Sequence, residues 1–330
     1  MKIEWEKEFI IMKRIICCIL LLCVMLSFPS CNNYEYADSF IESEIENGYN
    51  NLLAGGSLSL VDGKLYSYNL NALSNKEAMI ISPKQSTEML PREKQSFLGF
   101  TTMFYQYDNM IYSFEDNSES LYQYDFSEKE FVKSNLNINK SVVYYFDNDL
   151  FVYFDSESKL CVRYKGEEKI LDLNVNRFFP VGKKIYLLTD KGGLYIYDVL
   201  SPNNNCKYLT ELADDVVGGV FTVCDNCIYY DDYNNDKSTN ELWRYSLLDK
   251  TKEKIIEENI RSVNVYGKSF YYIVDNKLYV DNIEGDSRKL TDVNAEEVYI
   301  FGKKWIYLKD SQGKIYRTTH DGKTTEIVFG

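Results

Sequence analysis

One histidine, five prolines and 37 basic residues against 50 acidic ones are the scarcities of this 330-residue chain, and each closes off a class of function. With His320 alone, multi-histidine zinc or iron sites cannot be assembled, and a serine–histidine–aspartate triad would have to form around that residue. Its place beside Asp321-Gly322, a turn signal, makes His320 a solvated turn residue on sequence grounds. The net charge of −13 becomes −14 without residues 1–31, which carry four basic and three acidic side chains. Such a field repels a phosphate backbone, and no basic stripe with interleaved aromatics offsets it, so no nucleic-acid partner is expected. Of eight cysteines only Cys161, Cys206, Cys224 and Cys227 lie beyond residue 31, too few for a disulfide framework. No apolar run reaches the ~20 residues that span a bilayer.

The apolar run that does occur, residues 15–28, follows Lys13 and Arg14 and reads as the core of an export signal. Ser30-Cys31, followed by Asn32-Asn33, resembles the lipobox of bacterial lipoproteins, which makes Cys31 the expected lipid-attachment residue and the membrane a partner through that lipid only. Phe28 and Pro29 stand where the lipobox usually carries leucine and a small residue, so ordinary secretion or an uncleaved anchor remains the alternative. Glu4, Glu6 and Glu8 sit badly in a signal's basic leader and leave Met1 and Met12 both open as the start. The expected division is a signal peptide over 1–31, a solvated tether over 32–47 bearing Glu42, Glu44 and Glu46, and a folded unit over 48–330.

What the chain has in abundance is tyrosine (29) and phenylalanine (18), residues that favour pleated, half-buried surfaces. A short phrase recurs seven times: Gly or Asp, then Gly, Asn or Lys, then any residue, then a large apolar one. The copies are Gly55-Gly56-Ser57-Leu58, Asp108-Asn109-Met110-Ile111, Asp147-Asn148-Asp149-Leu150, Gly182-Lys183-Lys184-Ile185, Asp225-Asn226-Cys227-Ile228, Gly267-Lys268-Ser269-Phe270 and Gly302-Lys303-Lys304-Trp305. Two-residue hairpin turns need positive φ, which Gly, Asn and Asp tolerate best, so each phrase joins two antiparallel strands. A second landmark opens the next strand: Leu65-Tyr66, Leu121-Tyr122, Leu160-Cys161, Leu194-Tyr195, Leu242-Trp243, Leu278-Tyr279 and Ile315-Tyr316. Each unit closes on a charged turn and a fourth strand. Four-stranded sheets with two apolar faces are stable only when stacked radially, which predicts an all-β, seven-bladed β-propeller, with six or eight blades as the alternative count.

Tyr272-Ile273-Val274-Asp275 and Tyr307-Leu308-Lys309-Asp310 keep the outer residues of a Tyr-Trp-Thr-Asp phrase. In this the chain resembles the low-density-lipoprotein-receptor-like propellers and their counterparts in bacterial surface lipoproteins of unknown function. The resemblance implies an architecture over 48–330 and no ligand. The receptor propellers have six blades, and Leu194-Tyr195-Ile196-Tyr197-Asp198 is equally similar to quinoprotein-type repeats.

No catalytic set stands out. Cys224 and Cys227 have redox spacing but lie across a hairpin turn, where nothing lowers a thiolate pKa; a local disulfide and free thiols both stay open. Asp232, Asn234 and Asp236 alternate as in the first half of a calcium loop, without the turn glycine or closing glutamate, which makes calcium the one cofactor to consider. Two long connections, 82–96 and 231–240, should rise on the face around the central channel. Glu88, Arg92, Asp231, Asp232, Tyr233 and Asp236 are their candidate ligand-binding residues. The expected role is a non-enzymatic module for a protein or a glycan. The alternatives are a polysaccharide hydrolase or lyase with paired carboxylates at the channel mouth, and a scaffold of an envelope assembly.

Overall fold

A computed structural model describes residues 34–40, 47–69, 77–82, 86–89, 103–114, 121–134, 144–155, 157–201, 203, 205–213, 219–234, 239–282 and 287–330. Residues 36–330 form one compact unit built of seven antiparallel sheets, each with four strands taken consecutively from the chain and the last extended by a fifth from the N-terminal segment. This is the seven-bladed propeller. Blade 1 spans 58–89, blade 2 105–133, blade 3 144–170, blade 4 175–211, blade 5 221–256, blade 6 260–289 and blade 7 297–329.

The turn chemistry read from the sequence holds in blades 2 to 6, whereas blade 7 joins Glu297–Ile300 to Trp305–Lys309 without positive φ at Gly302 or Lys303. Asp108-Asn109 and Asp225-Asn226 both take positive φ, at 46° and 57° and at 42° and 62°, and each pair joins the first and second strands of its blade. Blade 1 departs from the expected register by one hairpin. Its first turn is Asp62-Gly63, between Leu58–Val61 and Lys64–Asn69, so Leu65-Tyr66 belongs to the second strand and the third is Glu77–Ser82. Gly55-Gly56 mimics the turn phrase because it too needs positive φ, 134° and 63°, but the pair serves to end a helix.

Aromatic abundance is spent between blades. Tyr229 of blade 5 stacks on Phe270 of blade 6 at 4.1 Å and 4°, and Tyr105 of blade 2 packs on Phe146 of blade 3 at 4.5 Å. Burying one such ring contributes roughly 2–3 kcal/mol. Several hydroxyls are carried along at little cost because they meet an acceptor: Tyr105 donates to Phe146 O at 2.9 Å, Tyr230 to Leu212 O at 3.1 Å and Tyr229 to the Asp281 carboxylate at 3.1 Å.

The N-terminal end of the unit packs on blade 7. Tyr36 lies outside the fourth strand of that blade, and Ala37 N–H continues the contact to Ile327 O at 2.8 Å. Phe40 is buried, and the Arg317 guanidinium donates to Ser39 O at 2.6 Å while lying 4.2 Å above the Trp305 ring. The expected solvated tether is therefore docked on blade 7 at 36–40, because Ala37 and Phe40 supply apolar surface that its glutamates conceal in a composition count; 41–46 lie outside the described residues.

Candidate functional site

The axial channel, expected to receive ligand, is filled by the chain itself. A six-residue helix, α1 (Gly48–Leu53), threads it. Gly48 sits against blade 2, where a Cβ would come within 1.9 Å of Gln106 O, and only glycine allows that approach. Tyr49 donates to Phe178 O of blade 4 at 2.8 Å and stacks on the Phe178 ring at 5.4 Å. Asn51 pairs with Ile300 of blade 7, donating to its carbonyl and accepting its N–H, both at 2.9 Å, and accepts from Asn264 Nδ2 of blade 6 at 2.8 Å. At the helix end, Ala54 O accepts from Ser262 Oγ at 2.9 Å. Asn51 thereby satisfies backbone groups on the inward edge of an innermost strand, which no neighbouring strand can reach.

Past α1, the side of the channel with the inter-blade and second-to-third-strand loops is closed by a polar knot. Lys309 Nζ donates to Ser57 Oγ at 2.8 Å, Ser57 Oγ to Glu297 Oε2 at 2.5 Å, and the Tyr299 hydroxyl to the same carboxylate at 2.6 Å. Burial pushes the Lys309 ammonium below its ordinary pKa, opposed by Glu297, and raises the Tyr299 phenol. The carboxylate at this mouth is thus engaged by its own neighbours.

The sequence-nominated residues are scattered rather than convergent. Glu88 lies on the fourth strand of blade 1, Ser86–Met89, so that these four residues of the expected 82–96 loop are strand, while 83–85 and 90–96 lie outside the described residues; its carboxylate meets Lys129 of blade 2 in an exposed ion pair. Asp231 is buried, and its carboxylate accepts from the N–H groups of Gly219 and Val220, both at 3.0 Å, which pins the entry of blade 5; burial raises its pKa against those hydrogen bonds. Asp232, Tyr233 and Asn234 continue the second strand, Cys227–Asn234, with Asp232 opposite Glu241, so the first part of the imagined calcium loop is an extended hairpin arm. Arg92, Asp236 and Cys31, with the signal segment, lie outside the described residues. Among the described residues no group of three or more metal-ligating side chains occurs, and no helix is long and apolar enough to cross a membrane.

One other expectation is corrected by packing, and one question the sequence left open is answered. His320 is half-buried: its Nδ1 lies 2.7 Å from the Tyr271 hydroxyl, its ring 4.8 Å from that of Tyr266, and burial lowers its pKa. The third-to-fourth-strand turn of blade 7 leans onto blade 6, a contact that sequence spacing does not reveal. Cys224 and Cys227 face each other across the hairpin as free thiols, and burial pushes Cys224 up to about 12.

What does converge is a cleft in blade 4 that no sequence motif marked. About 480 Å³ of space lies between the inter-blade segment Asp172, Leu173 and Asn174, the second-to-third-strand loop Thr189 to Gly193, and the outer strand residues Tyr208 and Glu211. The walls are tied together by main-chain hydrogen bonds: Asp190 N–H to Asn174 O at 3.3 Å and Leu212 N–H to Gly192 O at 2.8 Å. Gly192 has φ of +72°, and a Cβ there would lie 1.7 Å from Ala213 O, so the loop can press this closely only with glycine. A β-bulge between Leu194 and Tyr195 sets Tyr195 opposite Tyr208, their rings 5.2 Å apart and inclined at 70°. Tyr208 is 53% exposed although it is a large aromatic. Asp172, Asp190, Lys191 and Glu211 are exposed around it, and among the described residues none of their side-chain charges is held in a hydrogen bond or ion pair. The signal that could have found it is Lys191-Gly192-Gly193, a double glycine entering a strand, followed by a tyrosine on an outer strand.

No protein-family model matches the chain, and comparison with curated proteins finds no match either. Among solved structures it is similar to the computationally designed Ika8 protein, at 9% identity and a TM-score of 0.52 over 88% of this chain and 89% of that one. It is also similar to the extracellular domain of BT4673 from B. thetaiotaomicron, at 13% identity and a TM-score of 0.56 over 86% of this chain and 42% of that one. A chain of the nidogen/laminin complex aligns over 64% of this chain and 91% of that one, at 12% identity and a TM-score of 0.42. At these identities the likeness to Ika8 and BT4673 is one of fold.

Proposed function

We propose that the protein is an extracytoplasmic, lipid-anchored binding module. It engages a protein or glycan through the face that carries its inter-blade and second-to-third-strand loops, and it performs no chemistry on what it binds. The observation that carries this reading is the blade-4 cleft: pre-shaped by main-chain hydrogen bonds, floored by an aromatic pair of which Tyr208 is exposed, and lined by charges that no described residue holds in a hydrogen bond or ion pair. The helix narrows the axial channel to a recess of about 180 Å³ beside Tyr49 and Asn50, and the blade-4 cleft is the larger of the two. The anchor rests on the lipobox-like Ser30-Cys31 and the apolar segment before it. Kinship with the receptor-like propellers is part of the proposal. It draws support from the burial of Tyr272 and Tyr307 and from Asp310, whose carboxylate accepts from Gln312 and Lys314 N–H at 2.9 and 2.8 Å as a turn-closing residue.

Three carboxylates around one cleft also suit a glycoside hydrolase, and this is the second reading. It is the weaker because Asp172, Asp190 and Glu211 are all exposed at the rim, with no enclosure that would close water out around a reacting bond. Two measurements separate the readings and test the address. Incubation with polysaccharides, with release of reducing ends or unsaturated products followed, should show binding without turnover; sustained release would replace the module by an enzyme. Metabolic labelling with a radioactive fatty acid should mark the wild type and leave Cys31→Ala unmarked; equal labelling would remove the anchor.

A further inference from the structure

We infer that the blade-4 cleft is a carbohydrate subsite that seats a pyranose ring against Tyr208; the inference rests on the binding-module reading and names its ligand. A pyranose presents an apolar face of axial C–H groups and an equatorial rim of hydroxyls, so its receptor needs a flat, accessible ring and, at the ring's edge, both hydrogen-bond acceptors and donors. The cleft supplies both. Tyr208 keeps half its surface open, and Tyr195, inclined at 70° to it, forms the second wall of a right-angled corner instead of covering the platform. The carboxylates of Asp172, Asp190 and Glu211 can accept from sugar hydroxyls, and the Lys191 ammonium can donate to a ring or hydroxyl oxygen.

The space of about 480 Å³ takes more than one sugar ring and lies within the usual range of small-ligand sites. The corner is also rigid before anything binds. Thr189 Oγ1 and Gly193 N–H are joined at 2.9 Å, and a Cβ on Gly193 would stand 3.1 Å from the Tyr195 ring, so the absence of a side chain there lets that ring lie flat against the loop. Such preorganisation limits the ordering cost that otherwise weakens the capture of flexible oligosaccharides. A basic peptide is the competing occupant, since it would seek the same carboxylates. Lys191 in the middle of the acidic rim opposes it, and binding by uncharged hydroxyls makes no use of the net field.

Affinity electrophoresis of the protein through gels containing amylopectin, dextran, xylan, yeast mannan or polygalacturonate tests this, with titration by hexalysine in parallel. Retardation by at least one polysaccharide is expected, persisting at high salt for a neutral one, weakened at least tenfold in Tyr208→Ala and several-fold in Asp190→Asn and Glu211→Gln. Tyr208 is surface-exposed, so its removal leaves the fold intact, to be checked by an unchanged melting temperature. If no gel retards the protein, or hexalysine binds in a salt-sensitive manner while no polysaccharide does, the carbohydrate assignment falls; in the second case the module survives as a peptide receptor. If a polysaccharide retards wild type and Tyr208→Ala alike, the subsite is overturned and the module stands with its contact surface elsewhere.

Discussion

Replacing Asn51 by alanine is the most direct probe of the channel-filling helix. In a propeller the inward edges of the innermost strands carry main-chain groups with no strand beside them, and here one side-chain amide serves as the missing strand for Ile300. Asn51→Ala removes three hydrogen bonds of 2.8–2.9 Å at a residue 3% exposed. Asn264 Nδ2 keeps its bond to Val298 O at 3.0 Å, and Ile300 O keeps a longer one from Asn47 Nδ2 at 3.3 Å, so the N–H of Ile300 is the group fully orphaned and its carbonyl is partly so. At about 1–3 kcal/mol for each buried group left unsatisfied, the expected loss is about 2–4 kcal/mol. Asn51→Asp keeps the acceptor but sets a carboxylate against Ile300 O, and should cost as much or more. The assay is equilibrium urea unfolding followed by tyrosine and tryptophan fluorescence, with Asn264→Ala and the double variant completing a thermodynamic cycle. Because the two amides touch, the double variant should lose less than the sum. A shift in Asn51→Ala corresponding to under about 0.5 kcal/mol, on the scale of ordinary surface substitutions, would show that α1 is an accessory to the ring and refute its role as the axial support.

The remaining expectations concern the cleft, the clasp and the histidine. Gly192→Ala should destabilise by more than about 1 kcal/mol and abolish any ligand capture by the cleft, because its φ of +72° and the 1.7 Å approach of Ala213 O leave a methyl group nowhere to go; unchanged melting would contradict the tight loop. Arg317→Ala strips Glu326 and Ser39 O of a donor and Trp305 of one of its two cations, Lys304 remaining, so stability should fall by about 2–3 kcal/mol, with faster proteolysis near residue 40; equal cleavage rates would mean that 36–40 is not held by this residue. His320 has a folded-state pKa below its ordinary 6.5, so the unfolded chain takes up the proton first as pH falls. Stability is therefore full above 6.5 and declines as the pH drops through it. Because the chain has no other histidine, His320→Gln should flatten the fall in melting temperature between about pH 7.5 and 5.5, and an unaltered slope would discount the buried, neutral imidazole.

Local chemistry and long-range contact divide what the sequence revealed from what it hid. The blade count was legible because a two-residue turn demands positive φ, which Asp108-Asn109, Asn148, Gly182, Asp225-Asn226 and Gly267 supply, while Gly302-Lys303 marks blade 7 without adopting it. The same logic misled at Gly55-Gly56, since positive φ marks any sharp change of direction and a helix end needs it as much as a hairpin does. Nothing local separates the two. What would have separated them is spacing: with Leu65 as the landmark in place of Leu58, blade 1 follows the others at a more even interval.

The helix itself was hidden for a physical reason. Six residues are too short to show a 3.6-residue period, and Gly48-Tyr49-Asn50-Asn51 has poor intrinsic helix propensity. The segment is helical because the channel wall, contributed by blades 2, 4, 6 and 7, selects that shape, so the information that folds it lies at Gln106, Phe178, Asn264 and Ile300 rather than in its own residues.

The same reasoning explains why the nominated loop carboxylates became structural and the cleft was missed. Asp231 looked available because it sat in a polar stretch, yet a polar stretch in a hairpin arm alternates inward and outward, and inward is where the orphaned N–H groups of Gly219 and Val220 wait. Asp172, Asp190 and Glu211 belong to three separate segments and become neighbours only when blade 4 forms. Their distinguishing property is that, among the described residues, none of their side chains is held in a hydrogen bond or ion pair. Side chains that packing consumes announce the architecture, and those it leaves over, around a floor made rigid by Gly192 and Gly193, mark where a second molecule is to be sought.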